Sequence, residues 1–217
     1  EDCFVRAFDD ALVIKGLKRA QDSFDDRPAR DVTFRRCVVW CDWGRAMEIG
    51  AETCAPEFAD ILFEDCDILR TTHIAMDIQH GDRAAVRDIS FRDIRVEMDA
   101  ANLPPRMQSD RDARYDLQPT ADYLPQLMVI VIRRNNYSKD DQRGIVRDVL
   151  FRDIAVTAPR MPASSFRGFD AEHTVEGVTV ENLHLNEGRV GSPADASLEI
   201  GPHASDVRFA GSAAQQE

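Results

Sequence analysis

The chain has 217 residues, of which 43% are hydrophobic, and its formal net charge is −12. The length is enough for one domain with a substantial core, and no apolar run approaches the roughly 18 residues of a membrane span, so we expect no membrane partner. The acidic balance argues against nucleic acid, and less strongly against other anionic polymers, because phosphates are bound by clustered lysine and arginine.

A six-residue motif recurs about every 29 residues along the chain. Apolar and polar residues alternate within each copy, which is the period-two pattern of a β-strand. The clear copies are residues 31–36, 60–65, 88–93 and 148–153, with a looser copy at 177–182. A second series of apolar segments has matching spacing, at residues 11–14, 46–49, 75–78, 128–132 and 196–200.

This repeat predicts an all-β fold, namely a right-handed parallel β-helix, or solenoid, of about six to seven coils. Helical periodicity is largely absent, and the leucine spacing of leucine-rich repeats is missing. Stacked coils would align one internal file of phenylalanines, at Phe34, Phe63, Phe91, Phe151 and Phe209.

We interpret residues 1–217 as a single domain with a loop insertion at residues 98–127, which is rich in proline and charge. The insertion is either a solvated excursion or one wall of a binding cleft. Because residue 1 already lies within a repeat, we expect that upstream coils are missing and that the chain alone could be inactive.

The five cysteines give no complete disulfide framework. Cys3, Cys37 and Cys66 share one inward position of the repeat, so we expect small buried hydrophobic residues there. A bridge between Cys41 and Cys54 is left open. No cysteine or histidine spacing is typical of a zinc site, and we expect no metal and no cofactor.

Asp9 and Asp10 stand directly before the first segment of the second series. Glycoside hydrolysis needs such a pair, because one carboxylic acid protonates the leaving oxygen while another carboxylate activates water. Crowding raises the pKa of one member and keeps it protonated. The alternative interpretation is a polar turn, since aspartate favours turns.

Six further residues are predicted to bind substrate: Lys15, Trp43, Arg45, Glu48, Asp77 and His80. Glu48 and Asp77 occupy the same side of successive strands, where they act on substrate, hold Ca²⁺ or form an acidic stack. Trp43 offers a face for a sugar ring and Arg45 a hydrogen-bonding fork. His80 either binds a hydroxyl group or lies in a solvated turn.

Residues 9–16, DDALVIKG, resemble the DDCIAIKS segment of the polygalacturonase family, glycoside hydrolase family 28. Residues 44–50, GRAMEIG, are similar to its GHGISIG, and residues 75–79 take the place of its RIK. The resemblance covers residues 1–97 and implies a right-handed parallel β-helix, inverting hydrolysis by three aspartates, and export to the periplasm or the exterior. It makes Asp9 the general acid and Asp10 a residue that positions water.

The departures from that family bear on the substrate. The resemblance places the third aspartate upstream of residue 1, and a histidine of the family is replaced by Arg45 or a neighbour. Asp77 and Gln79 replace the two cations that hold a uronate in that family, which disfavours galacturonate and predicts a neutral or differently substituted glycan. The chain resembles dextranase-like enzymes, or other β-helix glycosidases, as closely as it resembles the polygalacturonase family.

The sequence therefore predicts a glycoside hydrolase that acts on a plant or microbial polysaccharide or oligosaccharide. Carbohydrate is the expected partner, without nucleic acid or membrane. Two alternatives stay open: a polysaccharide lyase on the same fold, and a non-catalytic carbohydrate-binding β-helix.

Overall fold

A computed structural model describes residues 1–17, 27–99 and 122–210. Within these ranges the chain forms fifteen β-strands and no helix, and accordingly none of it is a helix that could span a membrane. The strands are β1 (Phe4–Ala7), β2 (Leu12–Gly16), β3 (Ala29–Arg35), β4 (Val38–Cys41), β5 (Arg45–Thr53), β6 (Glu57–Arg70), β7 (Ile74–His80), β8 (Ala85–Glu97), β9 (Gln126–Ile132), β10 (Ile145–Thr157), β11 (Ser164–Arg167), β12 (Val175–Leu185), β13 (Gly188–Val190), β14 (Leu198–Ile200) and β15 (Ala204–Ala210).

The strands form two sheets. The nine-stranded sheet has the order β1-β4-β6-β8-β10-β12-β13, with β3 also paired to β6 and β15 to β12. The six-stranded sheet has the order β14-β11-β9-β7-β5-β2. Among the described strands every pair is parallel except the antiparallel pair of β12 and β13.

The predicted fold class is corrected by this topology. The sequence predicted a right-handed parallel β-helix of about six to seven coils, whereas the described residues form two open, mostly parallel sheets, one of which contains an antiparallel pair. The physical reason is that a repeat of strand patterns specifies which residues pair in register. Two open sheets satisfy that pairing, so the repeat alone does not specify a solenoid.

The register of the pairing aligns equivalent positions of the repeat. Phe63 pairs with Phe91, and Phe91 pairs with Phe151, across β6, β8 and β10. Their rings stack with centroids 4.9 and 5.0 Å apart, and Phe34 adds a stack at 5.1 Å. Four phenylalanines of the predicted file are thus confirmed as one stack. Phe209 of β15 is separated from Phe151 of β10 by Val180 of β12, which pairs with both residues.

The aspartates of the motif have a backbone role that the sequence interpretation missed. Two positions of the repeat have a positive φ, between 51° and 67°. The first is occupied by Asp31, Asp60, Asp88, Asp148, Gly177 and Asp206, and the second by Arg36, Asp65, Asp93, Asp153 and Asn182. Aspartate, asparagine and glycine tolerate this left-handed conformation best, so the motif encodes two bends in each long strand.

All five cysteines are free thiols, so Cys41 and Cys54 form no bridge. Cys37 and Cys66 are buried as expected, but Cys3 is exposed at the edge of the nine-stranded sheet. Most of the predicted insertion at residues 98–127 lies outside the described residues, so the solvated excursion and the cleft wall both stay predictions.

Replacement of Phe91 by alanine tests the stacked file. Phe91 is fully buried between two phenylalanine rings, so Phe91→Ala should lower the free energy of unfolding by about 3–5 kcal/mol in urea titrations. The control is Phe4→Ala, at a ring that is 65% exposed, where the change should stay within about 0.5 kcal/mol. Equal losses in the two variants would contradict the packing described here.

Candidate functional site

A row of side chains crosses the outer face of the six-stranded sheet. Glu48 of β5 pairs in register with Asp77 of β7, which pairs with Val129 of β9. The preceding row, Met47, Met76 and Met128, is fully buried in the core. Because alternate residues of a strand point to opposite faces, the Glu48 row faces away from that core. The second apolar series of the sequence therefore places these two carboxyl groups side by side, as predicted.

Two adjoining clefts lie over this face. The first cleft is lined by Asp9, Asp10, Lys15, Trp43, Arg45, Glu48, Ala51, Glu52, Gln79 and Tyr137. It brings together six of the eight residues that the sequence singled out. Asp77, the seventh, lines the adjoining cleft and contacts Arg45. The sequence interpretation missed Tyr137 and Glu52.

Asp10 is held at the base of the first cleft by the turn before β5. The backbone N–H of Arg45 donates to Asp10 Oδ1 at 3.1 Å. Gly44 makes this approach feasible, since a Cβ there would lie 2.6 Å from that same oxygen. The Gly44–Arg45 segment therefore fixes the carboxylate, and the glycine is a requirement for close contact.

The carboxyl groups of Asp10 and Glu48 lie close together, since each is 3.6 Å from the Arg45 guanidinium, and a proton on one of them relieves their repulsion. Burial, together with the charges of Asp77 and Asp10, raises the pKa of Glu48 to about 9 against the opposing effect of Arg45. Burial also acts to raise the pKa of Asp10, but the hydrogen bond from Glu48, the Arg45 N–H and nearby cations lower it overall. Glu48 is therefore the protonated member near neutral pH, and Asp10 is ionised.

Asp77 and Arg45 form a buried ion pair beside this carboxyl pair. Arg45 Nε donates to Asp77 Oδ2 at 2.9 Å and lies 3.6 Å from Glu48 Oε1. Burial raises the pKa of Asp77 to about 6, with Arg45 opposing the shift. Asp77 is thus largely ionised at neutral pH, and its charge is one reason why Glu48 stays protonated.

Lys15 closes the other side of the carboxyl pair. Its Nζ lies 3.1 Å from Glu52 Oε2 and 3.6 Å from Asp10 Oδ2. Burial acts to lower the pKa of Lys15, but the negative charges of Glu48, Glu52 and Asp10 outweigh burial and raise it overall. Lys15 therefore stays a cation over the whole neutral range.

Asp9 and Trp43 lie at the rim of the first cleft. Asp9 is exposed, and its Oδ1 accepts a hydrogen bond from the backbone N–H of Asp10 at 2.9 Å. Trp43 is partly exposed and stacks against Phe8 at a centroid distance of 6.5 Å. Asp9 thus lines the first cleft, and its role as general acid stays a prediction.

His80 does not fit the expected role in substrate binding. Its side chain is fully buried, and Nδ1 lies 2.7 Å from Thr53 Oγ1. That hydroxyl oxygen accepts the N–H groups of Gly81 and Asp82, so its hydrogen is left to donate to a neutral imidazole. Burial lowers the pKa of His80 to about 4, in keeping with a structural histidine.

The second cleft continues the first across β7, β9 and β11. It encloses about 500 Å³ and shares Arg45 and Gln79 with the first cleft. Its far end includes Arg167, which pairs with Glu199 at 2.6 Å, and Phe169, whose side chain is 47% exposed. Together the clefts make one groove that runs across the strands.

One group of possible metal ligands lies away from the groove. Suitable atoms of Cys54, Asp82 and Asp140 lie within 4.8 Å of one another. Burial raises the pKa of the Cys54 thiol to about 12, and Asp140 already pairs with Arg83 at 2.7 Å. Asp82 accepts three backbone N–H groups, so this set stabilises loops and offers little to a cation.

Comparisons of the chain with protein-family models, with curated proteins and with solved structures find no match. The functional interpretation therefore depends on the geometry and chemistry of the groove.

The protonation of Glu48 predicts a pH-dependent stability. The pKa of Glu48 is about 9 in the folded chain and near its ordinary 4.5 when unfolded, so between these values the folded state binds the extra proton. The free energy of unfolding should therefore fall as pH rises through this window, by up to about 1.4 kcal/mol per pH unit.

Glu48→Gln should remove that share of the slope, because an amide of nearly the same shape does not titrate. Urea titrations of both proteins between neutral and alkaline pH measure the difference. Parallel curves for the two proteins would show that Glu48 is already ionised.

Proposed function

We propose that the chain is the catalytic part of a glycoside hydrolase that acts in the groove on the six-stranded sheet. A single observation carries the proposal: the carboxyl groups of Asp10 and of the buried Glu48 meet beside one guanidinium group in a cleft with aromatic walls. One proton shared by two carboxyl groups supplies both the acid and the base that hydrolysis of an acetal needs.

The roles follow from the protonation states. Glu48 donates its proton to the glycosidic oxygen as the bond from that oxygen to the anomeric carbon breaks. Water attacks the anomeric carbon and passes a proton to the Asp10 carboxylate, the division of roles found in a carboxyl pair that shares one proton. Lys15 and Arg45 lie 3.6 Å from Asp10 and keep it ionised before the reaction.

The charges along the groove favour a neutral glycan. Arg45 is paired with Asp77, and Arg167 is paired with Glu199. Arg133, on the wall of the second cleft, donates to the neutral amide of Gln79. At Arg45 and Arg167 a sugar hydroxyl can add to these contacts, whereas a uronate would compete with the carboxylate already paired there.

The same observations disfavour a lyase. Elimination next to a uronate needs an uncharged basic group close to the sugar. Lys15 is the lysine that lines the first cleft, and the surrounding carboxylates raise its pKa above the ordinary value. It is therefore a poor base at neutral pH.

A panel of polysaccharides tests the proposal directly. We expect the protein to release reducing sugar from at least one of dextran, pullulan, laminarin or xylan, with no ultraviolet absorbance from an unsaturated product. Glu48→Gln and Asp10→Asn should each lower turnover by about 100-fold or more, because each removes one partner of the acid–base pair.

The matched controls are the exposed residues Glu176 and Asp206, which lie on β12 and β15. Glu176→Gln and Asp206→Asn should keep full turnover. Unchanged turnover in Glu48→Gln and Asp10→Asn, an unsaturated product, or no turnover on any glycan would each overturn the proposal.

A further inference from the structure

The loop between β9 and β10, residues 133–144, contributes Tyr137 to the wall of the first cleft. Its tip is a short turn in which Asn135 Oδ1 accepts the backbone N–H of Tyr137 at 2.8 Å. Ser138 Oγ both accepts the N–H of Asn135 at 3.1 Å and donates to the carbonyl of Gly81 at 2.7 Å. The turn is therefore bound to the end of β7 as well as to itself.

A buried carboxylate fastens the base of this loop. Asp82 is fully buried, and its Oδ1 accepts the backbone N–H groups of Lys139 and Asp140 at 2.5 and 3.0 Å. Its Oδ2 accepts the N–H of Thr53, at the end of β5, at 2.8 Å. One side chain thus joins the loop to the strand that carries Glu48. A buried charge is costly unless its hydrogen bonds are made, so this arrangement holds the loop in one position.

The fastened turn presents an exposed aromatic ring at the cleft. Tyr137 is 48% exposed and lines the first cleft together with Trp43, Asp10 and Glu48. Within the described residues its hydroxyl makes no hydrogen bond and its ring no aromatic stack. A large aromatic side chain that is left exposed on a well-held loop next to polar groups is typical of a ligand contact.

We infer that Tyr137 is a sugar-stacking residue of the first cleft and that Asp82 is the residue that positions it. The ligand class is a pyranose ring, whose apolar face packs on an aromatic ring while its hydroxyl groups meet the polar groups of the cleft. The inference depends on the proposed function for the identity of the ligand as a glycan, but not on the acid–base chemistry.

Binding measurements in a Glu48→Gln background test the inference, since turnover is then blocked. Calorimetric titration uses maltohexaose, isomaltohexaose, cellohexaose, laminarihexaose and xylohexaose. We expect at least one to bind, Tyr137→Ala to weaken that binding about tenfold, and Tyr137→Phe to stay within about twofold. Phe4→Ala, at an exposed ring that is not among the residues lining either cleft, is the control and should not change the affinity.

The positioning role of Asp82 has its own readout. Asp82→Asn should increase hydrogen exchange at residues 135–140 and weaken binding, without a further loss when it is combined with Tyr137→Ala. Should that variant not fold, Ser138→Ala removes the contact to Gly81 and is expected to act in the same way. A loss that adds fully to that of Tyr137→Ala would overturn the positioning role.

The outcomes separate the two proposals. Unchanged affinity in Tyr137→Ala, or no binding of any of the five sugars, overturns the stacking role. Binding that depends on Tyr137, in a protein whose turnover is absent or does not need Glu48, supports the stacking role and overturns the hydrolase.

Discussion

Residue-for-residue parallel pairing is the constraint on which the rest of this structure depends. It aligns Phe63, Phe91 and Phe151 into a buried stack in one sheet and sets Glu48 beside Asp77 in the other. A slip of one residue along any strand would move the phenylalanines outward and the carboxyl groups into the core. The same register that builds the core therefore also builds the polar groove, and neither can change alone.

The groove brings several carboxyl groups together, and burying them has a free-energy cost that the packing of apolar groups does not offset. Glu48 and Asp77 are each only 1% exposed, and Asp10 lies against Glu48. Burial of three negative charges so close together would be strongly unfavourable, and a proton on Glu48 relieves the repulsion. Arg45 and Lys15 then face Asp77, Asp10 and Glu52, so the two cations offset most of the remaining negative charge. Such arrangements are enriched at functional sites.

The sequence predicted much of the arrangement because the repeat fixes positions within a row. The motif placed Phe34, Phe63 and Phe91 in one file, and the second series set Glu48 next to Asp77. It did not specify how the rows close, and the predicted β-helix gave way to two open, mostly parallel sheets. The repeat does not specify positions within loops. Tyr137 is held at the groove by hydrogen bonds from its loop to Asp82, which is distant in sequence. His80 was misplaced because its burial depends on Thr53 and on neighbouring loops.

The left-handed bends change how the acidity of this chain should be understood. Within the described residues, nine of the positions with positive φ are aspartates: Asp2, Asp31, Asp60, Asp65, Asp88, Asp93, Asp148, Asp153 and Asp206. Their carboxylates are there because a short polar side chain suits the turning backbone. A good part of the excess of negative charge is therefore a by-product of chain geometry. In a repeat protein of this kind, overall charge is a weak guide to the charge of the ligand, and the local environment of the groove should be used in its place.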